Sequence, residues 1–131
     1  MQKCKYLDDL GLKPEDYGTN CVPDDDERAE DWLEEREMYG FDSRETWCLE
    51  YTFFEWIYTR LMMYKECCSG VIDLSFHKIQ YKDKEITQLE AINLILDFAK
   101  EAIISRDDEV MYKNGREICD IWKEVLPCMW W

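Results

Sequence analysis

The chain has little with which to do chemistry. It holds one histidine, His77, in 131 residues. A lone imidazole among scattered cysteines does not complete a zinc site at ordinary ligand spacing. No Cys-x-x-Cys pair, phosphate-binding loop, dinucleotide fingerprint or Ser-His-Asp arrangement occurs. Cations are also short: 16 Lys and Arg stand against 30 Asp and Glu, for a net charge of -14. With a pI near 4.4, phosphate is repelled, which argues against direct binding to DNA, RNA or an anionic membrane. The most apolar stretch, Thr52 to Tyr64, is interrupted by Glu55 and Arg60 and is too short to span a bilayer.

What is present is a globular composition. Apolar residues make up 47%, so this is not a disordered acidic tail. The length fits a single domain over 1–131 with a real core. Six Trp, eight Tyr and five Phe predict a core dominated by rings. Seven Cys, an odd number, follow an N-terminus without an apolar signal-peptide core, which predicts a reducing cytoplasm with most thiols acting as small core residues.

Periodicity predicts an α+β fold, mainly α, with about four helices and a short β-hairpin between the second and third. Residues 1–23 form an arm that packs through Tyr6, Leu7, Leu10 and Tyr17, with Pro14, Gly18, Asn20 and Pro23 marking a loop. Residues 24–39 read as an amphipathic helix capped by Asp24, Asp25 or Asp26, with Ala29, Trp32, Leu33 and Arg36 on one stripe. Gly40 stands at its C-terminal stop. Asp42 and Glu45 resemble a capping box for a buried aromatic helix over roughly 43–68. Between 71 and 86, apolar residues alternate and change parity at Phe76-His77, which predicts a hairpin with a bend there and a turn at Lys82-Asp83-Lys84. Thr87 to Glu90 is a capping box for a helix reaching about Ser105, and a last helix runs from about Asp108 to Leu126 before Pro127. Gly115 weakens its middle.

The first 50 residues carry 16 acidic and 6 basic side chains, which is ten of the surplus negative charges. The candidate partner-binding residues are Asp25, Asp26, Glu27, Glu30, Asp31, Glu34 and Glu35 on the acidic helix, with Trp130 and Trp131 at the C-terminus. Carboxylates three and four apart on a helix lie about 5–6 Å from one another. That scale is comparable to the repeat of phosphates along a strand, so such a helix can occupy a groove lined by Lys and Arg. The blander readings are a solvated helix face that confers solubility, and tryptophans folded onto the core. Glu55 and Arg60 on the central helix need partners if buried, with Arg44, Tyr58 and Tyr64 as candidates, and a structural ion pair explains them more simply than acid/base catalysis. Cys67-Cys68 is a weak redox or metal hint. No catalytic residue, metal or cofactor is expected.

The chain also resembles a family of small acidic proteins encoded by phages and prophages of Firmicutes. The resemblance is carried by Lys5-Tyr6-Leu7-Asp8-Asp9-Leu10-Gly11, Asp25-Asp26-Glu27-Arg28, Arg36 to Asp42 (REMYGFD) and Arg44-Glu45-Thr46-Trp47. It continues through Trp56 to Tyr64 (WIYTRLMMY), Thr87-Gln88-Leu89-Glu90-Ala91 and Met129-Trp130-Trp131, so that it spans nearly the whole chain. It implies a phage accessory protein acting in the host cytoplasm and transfers no catalytic residue. By analogy with such proteins, the expected function is inhibition of a host defence protein. The inhibitor would mimic nucleic acid and occlude a basic groove, such as that of a CRISPR nuclease or a restriction enzyme. The expected partner is a basic, nucleic-acid-binding host protein. The alternative is a homo-oligomeric module that sequesters a small molecule, with Arg44, Arg60 and Lys78 as candidate cations, or that serves a structural phage role. A third reading, an enzyme using Glu55, Arg60 and His77, has the least support.

Overall fold

The computed structural model describes residues 3–13, 16 and 22–130. Its element order is α1 (Lys5–Asp8), α2 (Ala29–Tyr39), a 3-10 turn (Ser43–Thr46), α3 (Leu49–Cys68), β1 (Lys78–Tyr81), β2 (Lys84–Thr87), α4 (Gln88–Ser105), α5 (Asp108–Val125) and a closing 3-10 turn (Leu126–Cys128). The fold is mainly α with a small antiparallel β part. The hairpin falls between α3 and α4, because the short turn at Lys5–Asp8 is itself helical. The chain divides into two compact units, 1–53 and 54–131, with the boundary inside α3.

In the first unit, Tyr6 and Leu7 of α1 are buried. Tyr17 lies outside the described residues. The acidic helix begins at Ala29 and not at residue 24, and no side chain caps it. The three aspartates expected to cap it do not, because Asp26 bonds locally to the Arg28 backbone N–H and holds the preceding residues in a turn. Of the predicted stripe only Trp32 is buried, and Leu33 is 54% exposed, so α2 buries one large apolar side chain and leaves its carboxylates and several apolar groups exposed. Gly40 does end it in the left-handed region at φ 83, its N–H donating to the Arg36 carbonyl. Asp42 caps the 3-10 turn by accepting from the Arg44 N–H. The expected helix over 43–68 is therefore two elements, Ser43–Thr46 and Leu49–Cys68.

In the second unit, α4 and α5 pack extensively on one another, and the hairpin packs against both. Both strands of α4's predicted capping box are present: Glu90 N–H donates to Thr87 Oγ1, and Thr87 N–H donates to the Glu90 carboxylate. Asp107 caps α5 by accepting from the N–H groups of Glu109 and Val110. The strands pair Ile79 with Ile86 and Tyr81 with Lys84, which puts Ile79, Tyr81 and Ile86 on the buried face. The turn is Lys82-Asp83, with Lys82 at φ 55, while residues 71–77 form turns and bends in place of the alternating strand expected there. Tyr81 donates a very short hydrogen bond from its hydroxyl to Glu117, which fixes β1 to α5.

The core differs from the ring-dominated one expected. Among the largest fully buried side chains, only Phe54 is aromatic, and Ile57, Ile92, Ile95, Ile103, Ile118, Ile121 and Val125 fill the second unit. Trp47, Trp56, Phe76, Tyr112 and Trp130 are exposed instead. The core is built chiefly from branched aliphatics, with Tyr6, Trp32, Tyr58 and Tyr81 buried as well as Phe54. The thiols likewise depart from expectation: of the six described cysteines, all free, only Cys68 is buried.

Candidate functional site

The acidic block is carried by α2 and the turn before it. Asp25, Glu27, Glu30, Asp31, Glu34 and Glu37 are exposed. Glu30, Asp31, Glu34 and Glu37 form no ion pair with a described residue. Two of the predicted contact residues have other work. Asp26 accepts from Arg28 through its backbone N–H at 2.9 Å, and through Nε and Nη2 at 3.2 Å each. Those bonds hold its carboxyl below the usual carboxylate range and push the Arg28 guanidinium higher. Glu35 accepts from the Ser43 N–H at 2.6 Å, tying α2 to the following 3-10 turn.

Beneath the carboxylates lies an arrangement that periodicity did not reveal. The Arg44 guanidinium stacks 4.3 Å from the Trp32 ring centroid, and that of Arg28 lies 4.7 Å from it. Trp47 meets Trp32 edge-on at 6.2 Å, and Arg28 also lies 5.6 Å from Trp47. Asp42, with no exposed surface, accepts from Arg44 Nε at 2.9 Å, Arg44 Nη2 at 2.7 Å and Arg36 Nε at 2.5 Å. Burial pushes the Asp42 carboxyl up, but the bonds from Arg44 and Arg36 outweigh it and hold the group below its ordinary value. Arg36 also reaches Glu45 at 3.9 Å, the residue expected to complete a capping box. The three arginines of the first unit, Arg28, Arg36 and Arg44, are thus engaged with Trp32, Asp26, Asp42 and Glu45. The sequence signal for this was the close recurrence of Arg and Trp between 28 and 47, which helical periodicity does not weigh. Its electrostatic effect is to pair these cations with Asp26, Asp42 and Glu45 and leave the carboxylates of Glu30, Asp31 and Glu34 uncompensated by them.

At the other predicted site, the Trp130 ring is 62% exposed while its backbone is held: Tyr64 Oη donates to the Trp130 carbonyl at 2.9 Å. Burial and a hydrogen bond with Cys68 push the Tyr64 phenol up to about 12, so it remains a donor at neutral pH. Trp131 lies outside the described residues. The remaining candidates are each engaged locally. Arg60 bonds Thr59 Oγ1 at 3.0 Å and lies over Trp56, and Lys78 pairs with Glu85 at 3.8 Å. Glu55 is buried, and Arg60 does not turn toward it. His77 meets Phe76 edge-on at 5.1 Å. Among the described residues, no group of three or more His, Cys, Asp or Glu is placed to hold a metal, and no helix is long and apolar enough to cross a membrane. No protein-family model, curated protein or solved structure matches the chain.

Proposed function

We propose that the chain is an acidic docking protein whose α2 face occupies a basic, nucleic-acid-binding groove of a host protein. The observation that carries this reading is the exposure of Glu30, Asp31 and Glu34 on a helix that buries only Trp32, with Glu27 exposed in the turn before it. A helix anchored through Trp32, Glu35 and Arg36 leaves the face of Glu30, Asp31 and Glu34 open to a partner. The Arg28, Arg44 and Asp42 contacts fix its base, which lowers the ordering cost of binding. Association would be steered by charge and would weaken with salt. The resemblance to phage-encoded acidic proteins favours, as the partner, a host defence nuclease of the CRISPR or restriction kind met in the host cytoplasm.

The test is competition with DNA. The protein is added to purified CRISPR and restriction nucleases bound to labelled duplex, at low and high salt, beside a variant with Glu27, Glu30, Asp31 and Glu34 changed to Lys. Glu35 is left intact because it holds Ser43. Displacement of duplex at low salt, lost at high salt and in the variant, is the expected result. Duplex that stays bound throughout, or is displaced equally by the variant, rejects the reading.

A further inference from the structure

An open cleft of about 240 Å³ lies wholly in the second unit, bounded by Ile72, Asp73, Phe76, His77, Gln88, Cys128 and Trp130. We propose that it binds an organic cation, a guanidinium or quaternary ammonium group, between the rings of Phe76 and Trp130 and beside the Asp73 carboxylate. This site is independent of the acidic helix.

Both walls of the cleft are tied to the start of α4. The Gln88 backbone N–H donates to the His77 carbonyl at 2.9 Å, and the neighbouring Leu89 N–H donates to Leu74 at 2.9 Å, so the 72–77 loop is fastened to the start of α4. The buried Gln88 side chain reaches the other way. Its Nε2 donates to the Cys128 carbonyl at 3.1 Å and to Tyr64 Oη at 3.3 Å, and Tyr64 in turn holds Trp130. A tight turn at Met129, closed by Trp130 N–H to the Cys128 carbonyl at 3.0 Å, completes the second wall. Phe76 is 75% exposed and Trp130 62% exposed on this rigid frame. Two large rings held out in water at the mouth of one cleft are the form that cation–π recognition takes.

Charge selects the occupant. Among the described residues, neither Lys nor Arg lines the cleft, and Asp73 is the only carboxylate that does. Asp73 Oδ1 takes both local bonds, from the Ser75 N–H at 2.9 Å and Ser75 Oγ at 2.5 Å, so Oδ2 has no partner among the described residues. These bonds from Ser75 hold the carboxyl below its ordinary range, so it is charged at neutral pH. The start of α4 does not offer an anion site. The N–H groups of Gln88, Leu89 and Glu90 already donate to His77, Leu74 and Thr87.

The experiment titrates the intact chain, followed by NMR of the Trp130 indole N–H and the His77 ring. The probes are choline with its neutral isostere 3,3-dimethylbutan-1-ol, and N-acetylarginine methylamide with its citrulline counterpart. We expect at least one cation to saturate about 10-fold below its neutral isostere. The tighter of the two cations distinguishes a free quaternary ammonium ligand from an arginine side chain presented by a protein. Asp73→Asn keeps the acceptor that Ser75 needs while removing the charge, and should weaken binding about 5-fold. Trp130→Leu, checked for native circular dichroism, should abolish saturation. Neutral isosteres that bind as well as the cations, cations that fail to saturate, or undiminished affinity in Asp73→Asn would each overturn the proposal.

Discussion

The Gln88 side chain donates to the Cys128 carbonyl at 3.1 Å across forty positions of sequence. The same amide touches Tyr64 Oη, so one buried glutamine joins the start of α4, the middle of the chain and its last turn. Replacing it with Leu removes the donor and leaves the Cys128 carbonyl without it. We expect a loss of about 1–2 kcal/mol in urea unfolding. Hydrogen exchange should also speed up at Met129 and Trp130, and an unchanged exchange rate there would show that the last turn holds itself.

Asp42 is the second buried polar hub. Asp42→Ala strands the guanidiniums of Arg36 and Arg44 and should cost about 3–5 kcal/mol, as removal of one partner of a buried ion pair does. Asp42→Asn keeps an acceptor and should cost less. Circular dichroism during denaturant titration measures both, and equal stability of Asp42→Ala and the parent chain would contradict the geometry.

The same carboxylate shapes the acid limb. Its folded pKa lies below the ordinary value, so its stabilisation is fully present above about pH 4 and fades as pH falls through its own lower value. Stability measured from neutral pH down into that range should therefore decline less steeply in Asp42→Asn than in the parent chain. Parallel curves would mean that other carboxylates, such as Asp26 with its Arg28 bonds, govern acid unfolding.

Gly115 sits in the interior of α5, where a Cβ would lie 3.5 Å from the Phe54 ring, an ordinary contact. Gly115→Ala should raise stability by roughly 0.5–1 kcal/mol through helix propensity, read as a higher thermal midpoint. A lower midpoint would mean that α5 and Phe54 are packed too tightly to admit a methyl group.

Thr87→Ala removes the acceptor for the Glu90 N–H and should cost about 1 kcal/mol. Combining it with Glu90→Ala should add little, because the two halves of the box support one another. Fully additive losses in a thermal-melt cycle would count against that coupling.

Where local chemistry decided the structure, it could be read directly. The Thr87–Glu90 box, the end of α4 at Ser105 and the Gly40 stop all rest on a few neighbouring residues. The start of α2 was misplaced because three aspartates look alike as caps, whereas Asp26 spends its carboxylate on Arg28. The stacking of Arg44 on Trp32 joins residues whose spacing carries no helical signature, so the base of the acidic face was hidden. Of the predicted contact residues, Asp25, Glu27, Glu30, Asp31 and Glu34 are exposed, while Asp26 and Glu35 hold the local fold. The cleft beside Trp130 was invisible because Asp73, Phe76, Gln88 and Trp130 come together only through hydrogen bonds between distant segments.

Of the 22 buried apolar side chains among the described residues, three, Tyr6, Leu7 and Trp32, belong to the first unit and nineteen to the second. Heat-capacity change and denaturant slope both scale with the apolar area exposed on unfolding. Melting of the first unit should therefore have a shallow temperature dependence and a small urea slope, while that of the second should be steep. Guanidinium chloride, an electrolyte as well as a denaturant, should loosen the arginine–aspartate stack under α2 at concentrations where urea leaves it in place, and so separate two transitions that heat alone would blur.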